Sequence, residues 1–347
     1  MGKYNEEDVN IKYRCVSEWF LGANDLLGMH RVESKDATKD SSRHFTFELN
    51  ENVIRKEVRF INRFGIDVVG DLYLPKVLPG KNPAIVCCGA FGAVKEQASG
   101  FYANEMASRG FITLAFDGSF TGESGGPRNV ASVDVMTEDV MAAVDELGRH
   151  PEVNRERIGL IGICGWGSIA IHATSLDKRI KALVTVSMFD LSFMGEMDSK
   201  VRKNILDGFA VQRWKDVDAG QLQVGPHRFP NGYPEDGDSE EKDMYDYYLK
   251  RAFHENSILS NGAWTVNNQI SLIHGGLLNF IKDIAPRPIL LIHGENAKTK
   301  GNSLKAYELA SEPKKIMMIP DAGHCTLYDQ KEKIPSDRIK DFFMTNL

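Results

Sequence analysis

A mainly parallel, doubly wound α/β body is the fold class this sequence predicts, and three observations predict it. Short apolar runs recur along the chain, most of them end in Gly, Asp or Pro, and segments of helical period separate them. The runs are AIVCCG (84–89), FITLAFD (111–117), RIGLIGI (157–163), IKALVTVS (180–187), PILLIHG (288–294) and KIMMIP (315–320). Between them YANEMASRG, VDVMTEDVMAAVDELGRH, SIAIHATSL and LKAYELASE place apolar residues on one helical face. Crossover helices cover both faces of a parallel sheet, so its strands read as continuous apolar stretches.

Taken in order, residues 1–50 are an extension expected to pack on the body. Trp19, Phe20, Leu21, Leu26 and Leu27 suit a short helix there, and the polar VESKDATKDSS suits a loop. Residues 53 to 74 read as two strands around a turn near Asn62 to Gly65, a hairpin. The α/β core is then expected over 51–190 and 286–347. Its rhythm breaks over 191–285, where MFDLSFMGEM, a polar PHRFPNGYPEDGDSEEKD loop and the helix-like MYDYYLKRAFHENS and NQISLIHGGLLNFIKDI follow one another. So long an excursion between two strands is usually functional, and a helical cap over the carboxyl ends of the strands is expected.

Composition narrows the function. A chain of 347 residues with 42% hydrophobic content can bury a sizeable core, which excludes disorder. The net charge of −6, with both signs interleaved, offers no basic stripe for phosphates, so no nucleic-acid partner is expected. No charged leader runs into an apolar segment and no window approaches eighteen apolar residues, so a cytoplasmic protein with no membrane partner is expected. Cys15, Cys87, Cys88, Cys164 and Cys325 lack C-x-x-C spacing, which suggests reduced thiols and neither a disulfide framework nor a zinc site. The composition leaves room for a homo-oligomer.

Reactive groups in open α/β sheets gather beyond the carboxyl ends of the strands. Cys164, in Gly162-Ile163-Cys164-Gly165-Trp166-Gly167, stands where an apolar strand turns into a helix. This is the logic of the G-x-S-x-G elbow, which needs small neighbours because the chain doubles back, with a thiol in place of the hydroxyl. A helix N-terminus favours thiolate over thiol. The Gly165 amide is an expected oxyanion donor, with a second from Phe91 or Gly92 in the loop CGAFGAVKE. Trp166 stands where an elbow usually has a small residue, beside the expected substrate side, and Gly167 is expected to supply the missing space. His324, in IMMIPDAGHCTLYD, is the candidate general base. Two carboxylates compete to orient it: Glu295, after PILLIHG, and Asp190, after the preceding strand.

Other features carry less. GSFTGESGG lacks the Lys-Ser/Thr ending of a phosphate loop and reads as a turn near the pocket. His293 and His172, inside apolar runs, read as hydrogen-bonded core residues. Met188, Met194, Met197 and Phe193 suit an acyl pocket or ordinary packing.

The elbow GICGWG, the loop CGAFGAVKEQASGFYANEMASRGF, the segment LAFDGSFTGESGG and the terminal GHCTLYD together resemble the dienelactone-hydrolase-like branch of the α/β-hydrolase superfamily, over roughly residues 55 to 345. The resemblance implies an α/β-hydrolase fold, nucleophile Cys164, base His324 and oxyanion amides near Phe91 and Gly165. That family often has an aspartate a few residues past the glycine of the penultimate strand, where this chain has Ala297 and Lys298. The expected function is hydrolysis of a carboxylic ester, lactone or thioester, a small-molecule acyl substrate, through a Cys-His-acid triad with no metal or organic cofactor. The alternatives are an acyltransferase and a non-catalytic small-molecule binder on the same fold.

Overall fold

The computed structural model describes residues 43–347 except 194–196, 230, 234 and 274–275. The helix expected from Trp19 to Leu27 lies outside the described residues. The hairpin is present as β1 (Val53–Ile61) and β2 (Asp67–Pro75), antiparallel, with Asn62 holding the turn: its Oδ1 accepts from the amides of Phe64 and Ile66. The apolar runs become β3 (Asn82–Cys88), β4 (Ile112–Phe116), β5 (Val153–Ile163), β6 (Ile180–Val186), β7 (Ile289–Gly294) and β8 (Lys314–Ile319). They form one eight-stranded sheet in the order β1-β2-β4-β3-β5-β6-β7-β8, in which β2 runs antiparallel to both neighbours and the strands from β4 onward pair in parallel.

The period of two in these strands divides the core into two layers. Ala84, Val86 and Cys88 face one side with Leu160, Leu183 and Leu291, covered by α2 (Val133–Arg149) and α3 (Gly165–Leu176). Ile85 and Cys87 face the other with Ile161, Ile163, Val184 and Ile292, covered by α1 (Ala98–Ala107) and α7 (Ser336–Asn346). α6 (Lys300–Leu309) links β7 to β8. Ser132 caps α2, accepting from the Val135 amide, and Asp134 and Arg149 suit the two ends of its dipole.

Between β6 and β7 the chain forms α4 (Ser199–Ala219), α5 (Ser239–Asp246), a π turn (Tyr247–Arg251) and several single helical turns. α4 was not legible in the sequence. Only Phe209, Gln212 and Asp216 of it are buried, while Val201, Val211, Trp214 and Val217 face solvent, so it lacks an apolar stripe. The helix expected over 268–284 is instead broken into short turns at Val266–Gln269, Ile270–Ile273 and Ile281–Ile284. No helix among the described residues is long and apolar enough to cross a membrane.

Candidate active site

Cys164 sits between the end of β5 and the first residue of α3 with φ +54° and ψ −127°. An L-residue adopts that conformation only under constraint from its surroundings. Here the constraint is double. The Cys164 amide donates to Val186 of β6, and its carbonyl accepts from Gly167 and Phe189. A Cβ on Gly162 would lie 2.5 Å from Ala170 Cβ and 2.7 Å from the Trp166 carbonyl, so the elbow closes only over glycine.

The space for Trp166 comes from a source other than the expected Gly167. Its indole is buried, meets Phe116 edge-on at 5.5 Å, and lies where a Cβ on Gly118 would be 2.4 Å away. Trp166 therefore packs in the core, not on the substrate side. Gly167 is pressed against Met188, which is fully buried. Phe193 is exposed, Met197 packs on the small cluster around Phe209 and Ile273, and Met194 lies outside the described residues.

The structure brings His324 to the thiol. Its Nε2 lies 3.4 Å from Cys164 Sγ, and its carbonyl accepts from Ser187 Oγ at 2.8 Å, which ties the histidine loop to the end of β6. A Cβ on Gly165 would lie 2.8 Å from Phe91 Cβ, so the two residues pack side by side at the elbow, and their amides favour the sulfur's anion. The two residues expected to supply oxyanion donors are thus neighbours at the thiol. Gly92 has φ +86°, and its carbonyl accepts from the Ile258 amide and Ser257 Oγ, fastening the loop that carries Phe91 to the β6–β7 insertion. Phe91 stacks on Trp264 of that insertion, with ring centroids 4.4 Å apart.

Neither carboxylate expected to orient His324 does so. Glu295 is exposed, and its backbone, not its side chain, bonds to the β8 end. Asp190 is buried, but its Oδ1 accepts from the amide and hydroxyl of Ser192, a local cap. The atom facing His324 Nδ1 is Thr299 Oγ1, at 2.6 Å. Thr299 Oγ1 also lies 3.2 Å from His293 Nε2, and His293 Nδ1 lies 2.7 Å from Ser303 Oγ. His293 is thus a hydrogen-bonded core residue, as its place in a strand implies. Sequence reasoning missed Thr299, because a hydroxyl in a loop carries no distinguishing signal; the missing aspartate in that turn was the available hint.

Burial dominates the electrostatics. It pushes the Cys164 thiol up although the neighbouring Tyr328 hydroxyl and the Gly165 and Phe91 amides favour the anion, so the thiolate expected from a helix N-terminus is outweighed. His324 is held down to about 3, first by burial and then by His293 and Arg228, and His293 to about 4 by burial and Lys300. The resting pair is a neutral thiol facing a neutral imidazole. Alkylation of Cys164 by iodoacetamide should therefore be slow at pH 7 and rise only above the ordinary thiol range near pH 8.5. A labelling rate that plateaus below pH 7 would contradict this reading.

A buried charge cluster holds the oxyanion loop. Asp117, at the end of β4, accepts from the Lys95 amide (2.8 Å), Lys95 Nζ (2.9 Å) and the Glu123 amide (2.9 Å). Lys95 and Asp117 have fully buried side chains, and Arg43 joins Asp71 and Glu96 to the same group. Burial alone would lower the Lys95 pKa, but Asp117, Glu96 and Asp71 outweigh it and keep the ammonium charged.

Among the described residues, His44, His254 and Glu255 lie close enough together to hold a metal ion. The two rings are stacked, however, His254 Nε2 faces the His44 carbonyl at 3.0 Å, and His254 Nδ1 accepts from the Asn256 amide, so both His254 nitrogens are already engaged.

The chain matches the family model of the X-Pro dipeptidyl-peptidase (S15 family) over residues 65–326. It is 49% identical to the uncharacterised protein PA2218 of Pseudomonas aeruginosa over 312 residues, 87% of this chain and 83% of that protein, and the crystal structure of that hypothetical protein superposes with a TM-score of 0.84. It is 33% identical over 159 residues to the thiohydrolase AneE of Aspergillus aculeatus, 45% of this chain and 49% of AneE. It is 24% identical to the polyketide transferase GrgF of Penicillium sp. over 78% of this chain and 89% of GrgF. The GrgF crystal structure, described as an alpha/beta hydrolase, covers 84% of this chain and 98% of its own with a TM-score of 0.71. The matched span holds the elbow, the oxyanion loop and His324 together, and by it this chain belongs to the X-Pro dipeptidyl-peptidase (S15) family of α/β hydrolases.

Proposed function

We propose that the protein transfers an acyl group from a carboxylic ester, lactone or thioester to Cys164 and then to water or a second acceptor. One observation carries this reading: His324 Nε2 stands 3.4 Å from Cys164 Sγ, with Phe91 packed against Gly165 at the same elbow. Cys164 attacks the carbonyl, His324 takes the thiol proton, and the two amides hold the developing oxyanion. The dienelactone-hydrolase-like motifs support the reading, as do relatives named thiohydrolase and polyketide transferase. Acyl transfer in place of hydrolysis requires only that an alcohol or amine replace water in the second step.

The leaving group separates this reading from a peptidase. A thiolate departs without a proton, whereas an amine must be protonated as it leaves. Among the described residues no carboxylate touches His324, so the imidazolium that must protonate a departing amine is costly to form. Acyl thioesters and p-nitrophenyl esters should therefore turn over at least about 100-fold faster than matched X-Pro anilides, given what one acid–base group contributes. Comparable kcat/KM on the anilides would sink the acyl-ester reading. The β6–β7 insertion, which supplies Trp264 against Phe91, is proposed as the cap that selects the acyl chain. Trp264→Ala should change the preference among acetyl, butyryl and octanoyl esters, and an unchanged profile counts against the cap.

A further inference from the structure

The hydroxyl of Thr299 has a single proton and two imidazole neighbours, and that fixes the direction of the whole chain. For His324 to accept the thiol proton, Nε2 must be bare, so its proton resides on Nδ1 and is donated to Thr299 Oγ1 at 2.6 Å. The Thr299 proton then has one imidazole left to face, His293 Nε2 at 3.2 Å, and His293 consequently carries its own proton on Nδ1, donated to Ser303 Oγ at 2.7 Å. Every donor meets an acceptor along Cys164, His324, Thr299, His293 and Ser303. We propose that Thr299 and His293 replace the triad carboxylate, Thr299 fixing the tautomer of His324 and His293 receiving a relayed proton.

The step balances. The S–H bond of Cys164 breaks as a proton joins His324 Nε2; the Nδ1 proton of His324 passes to Thr299 Oγ1; the original Thr299 proton passes to His293 Nε2. Sulfur's electron pair forms the bond to the acyl carbon as the carbonyl π pair moves to the oxygen, and the positive charge rests on His293. Collapse of the oxyanion breaks the bond to the leaving group, which departs as its anion and takes up the proton as the relay runs back, so both imidazoles are neutral again when water attacks in deacylation. Both histidines and Ser303 are fully or nearly buried. Around the pair lie Cys164 on the elbow, Tyr328 and Cys325 beside the histidine loop, Tyr248 of the π turn, Arg228 of the insertion, Lys300 at the start of α6, and Asp243 of α5, which accepts from the amides of Cys325 and Thr326 and pairs with Arg251. Glu240 of α5 accepts from the backbone amides of Lys298 and Thr299, so it holds this turn and leaves the hydroxyl to the rings. With no carboxylate bonded to either ring among the described residues, a charge shared by two imidazoles is less costly than a charge confined to one.

The inference rests on the acyl-transfer reading of Cys164 and His324, and the test separates the two. The probe is p-nitrophenyl acetate, whose leaving group needs no proton, followed as the single-turnover release of p-nitrophenolate. Thr299→Val should lower the acylation rate about 100-fold or more, as loss of a tautomer-fixing partner does, with KM little changed. Thr299→Ser should return it to within a few-fold of the parent, and His293→Asn should fall between the two. The parent enzyme should give a bowed proton inventory in mixed H2O and D2O, from more than one proton in flight, and Thr299→Val a straight one. A straight inventory in the parent, which needs no variant to fold, or Thr299→Val at the parental rate, overturns the relay while Cys164→Ala remains inactive. An active Cys164→Ala overturns the acyl-transfer reading itself.

Discussion

Cys164→Ala is expected to abolish turnover, by on the order of 10^5- to 10^6-fold in kcat, the cost of removing a nucleophile that acts as a unit with its base. The fold should survive. Cys164 is only partly buried, and the elbow is held by its backbone bonds to Val186, Gly167 and Phe189, none of which involves the sulfur. The denaturant midpoint should therefore move by no more than about 1 kcal/mol of stability. Cys164→Ser should keep weak activity, since the hydroxyl retains the geometry but is a poorer nucleophile against the same neutral His324. If the alanine variant hydrolyses esters at the parental rate, the nucleophile lies elsewhere.

The largest stability effect is expected at Lys95. Its ammonium is fully buried against Asp117, Glu96 and Glu123, and Lys95→Met strands the equally buried Asp117 carboxylate. Removing one partner of such a pair costs about 3–5 kcal/mol, because the remaining charge has lost both water and its counter-ion. Activity should fall as well, since the Lys95 amide and side chain together pin the loop that presents the Phe91 amide. The double variant Lys95→Met/Asp117→Asn should recover part of the loss by removing the stranded charge. Urea denaturation of the three proteins measures this, and a single variant as stable as the parent would mean that the network contributes nothing net.

The alternation of apolar strand and amphipathic helix was readable because burial on both faces forces it: six strands fall where the six apolar runs lie, and the remaining two are the expected hairpin. Cys164 was legible for a related reason: a strand that must reverse into a helix over small residues leaves a local signature, and the strained φ of +54° is its physical counterpart. α4 was hidden because its exposed face carries Val211, Trp214 and Val217, which blurs the periodic pattern. The partner of His324 was hidden for a different reason. Whether Glu295 or Thr299 faces the ring depends on how the five residues of loop after β7 fold, and no spacing rule encodes that. Sequence chemistry favours a carboxylate in that role. The loop exposes Glu295 to water instead and turns the threonine inward, where its short side chain bridges His324 and His293.

The central claim is that Cys164 carries the acyl group, and intact-protein mass spectrometry after rapid mixing with an acyl thioester tests it most directly. The account predicts a mass increase of one acyl group on the parent, mapped by peptide digestion to the segment containing Cys164 and decaying as product forms. Cys164→Ala should show no increase. An adduct on another residue, or turnover of the thioester with Cys164 never modified on the time scale of a single turnover, would contradict the account.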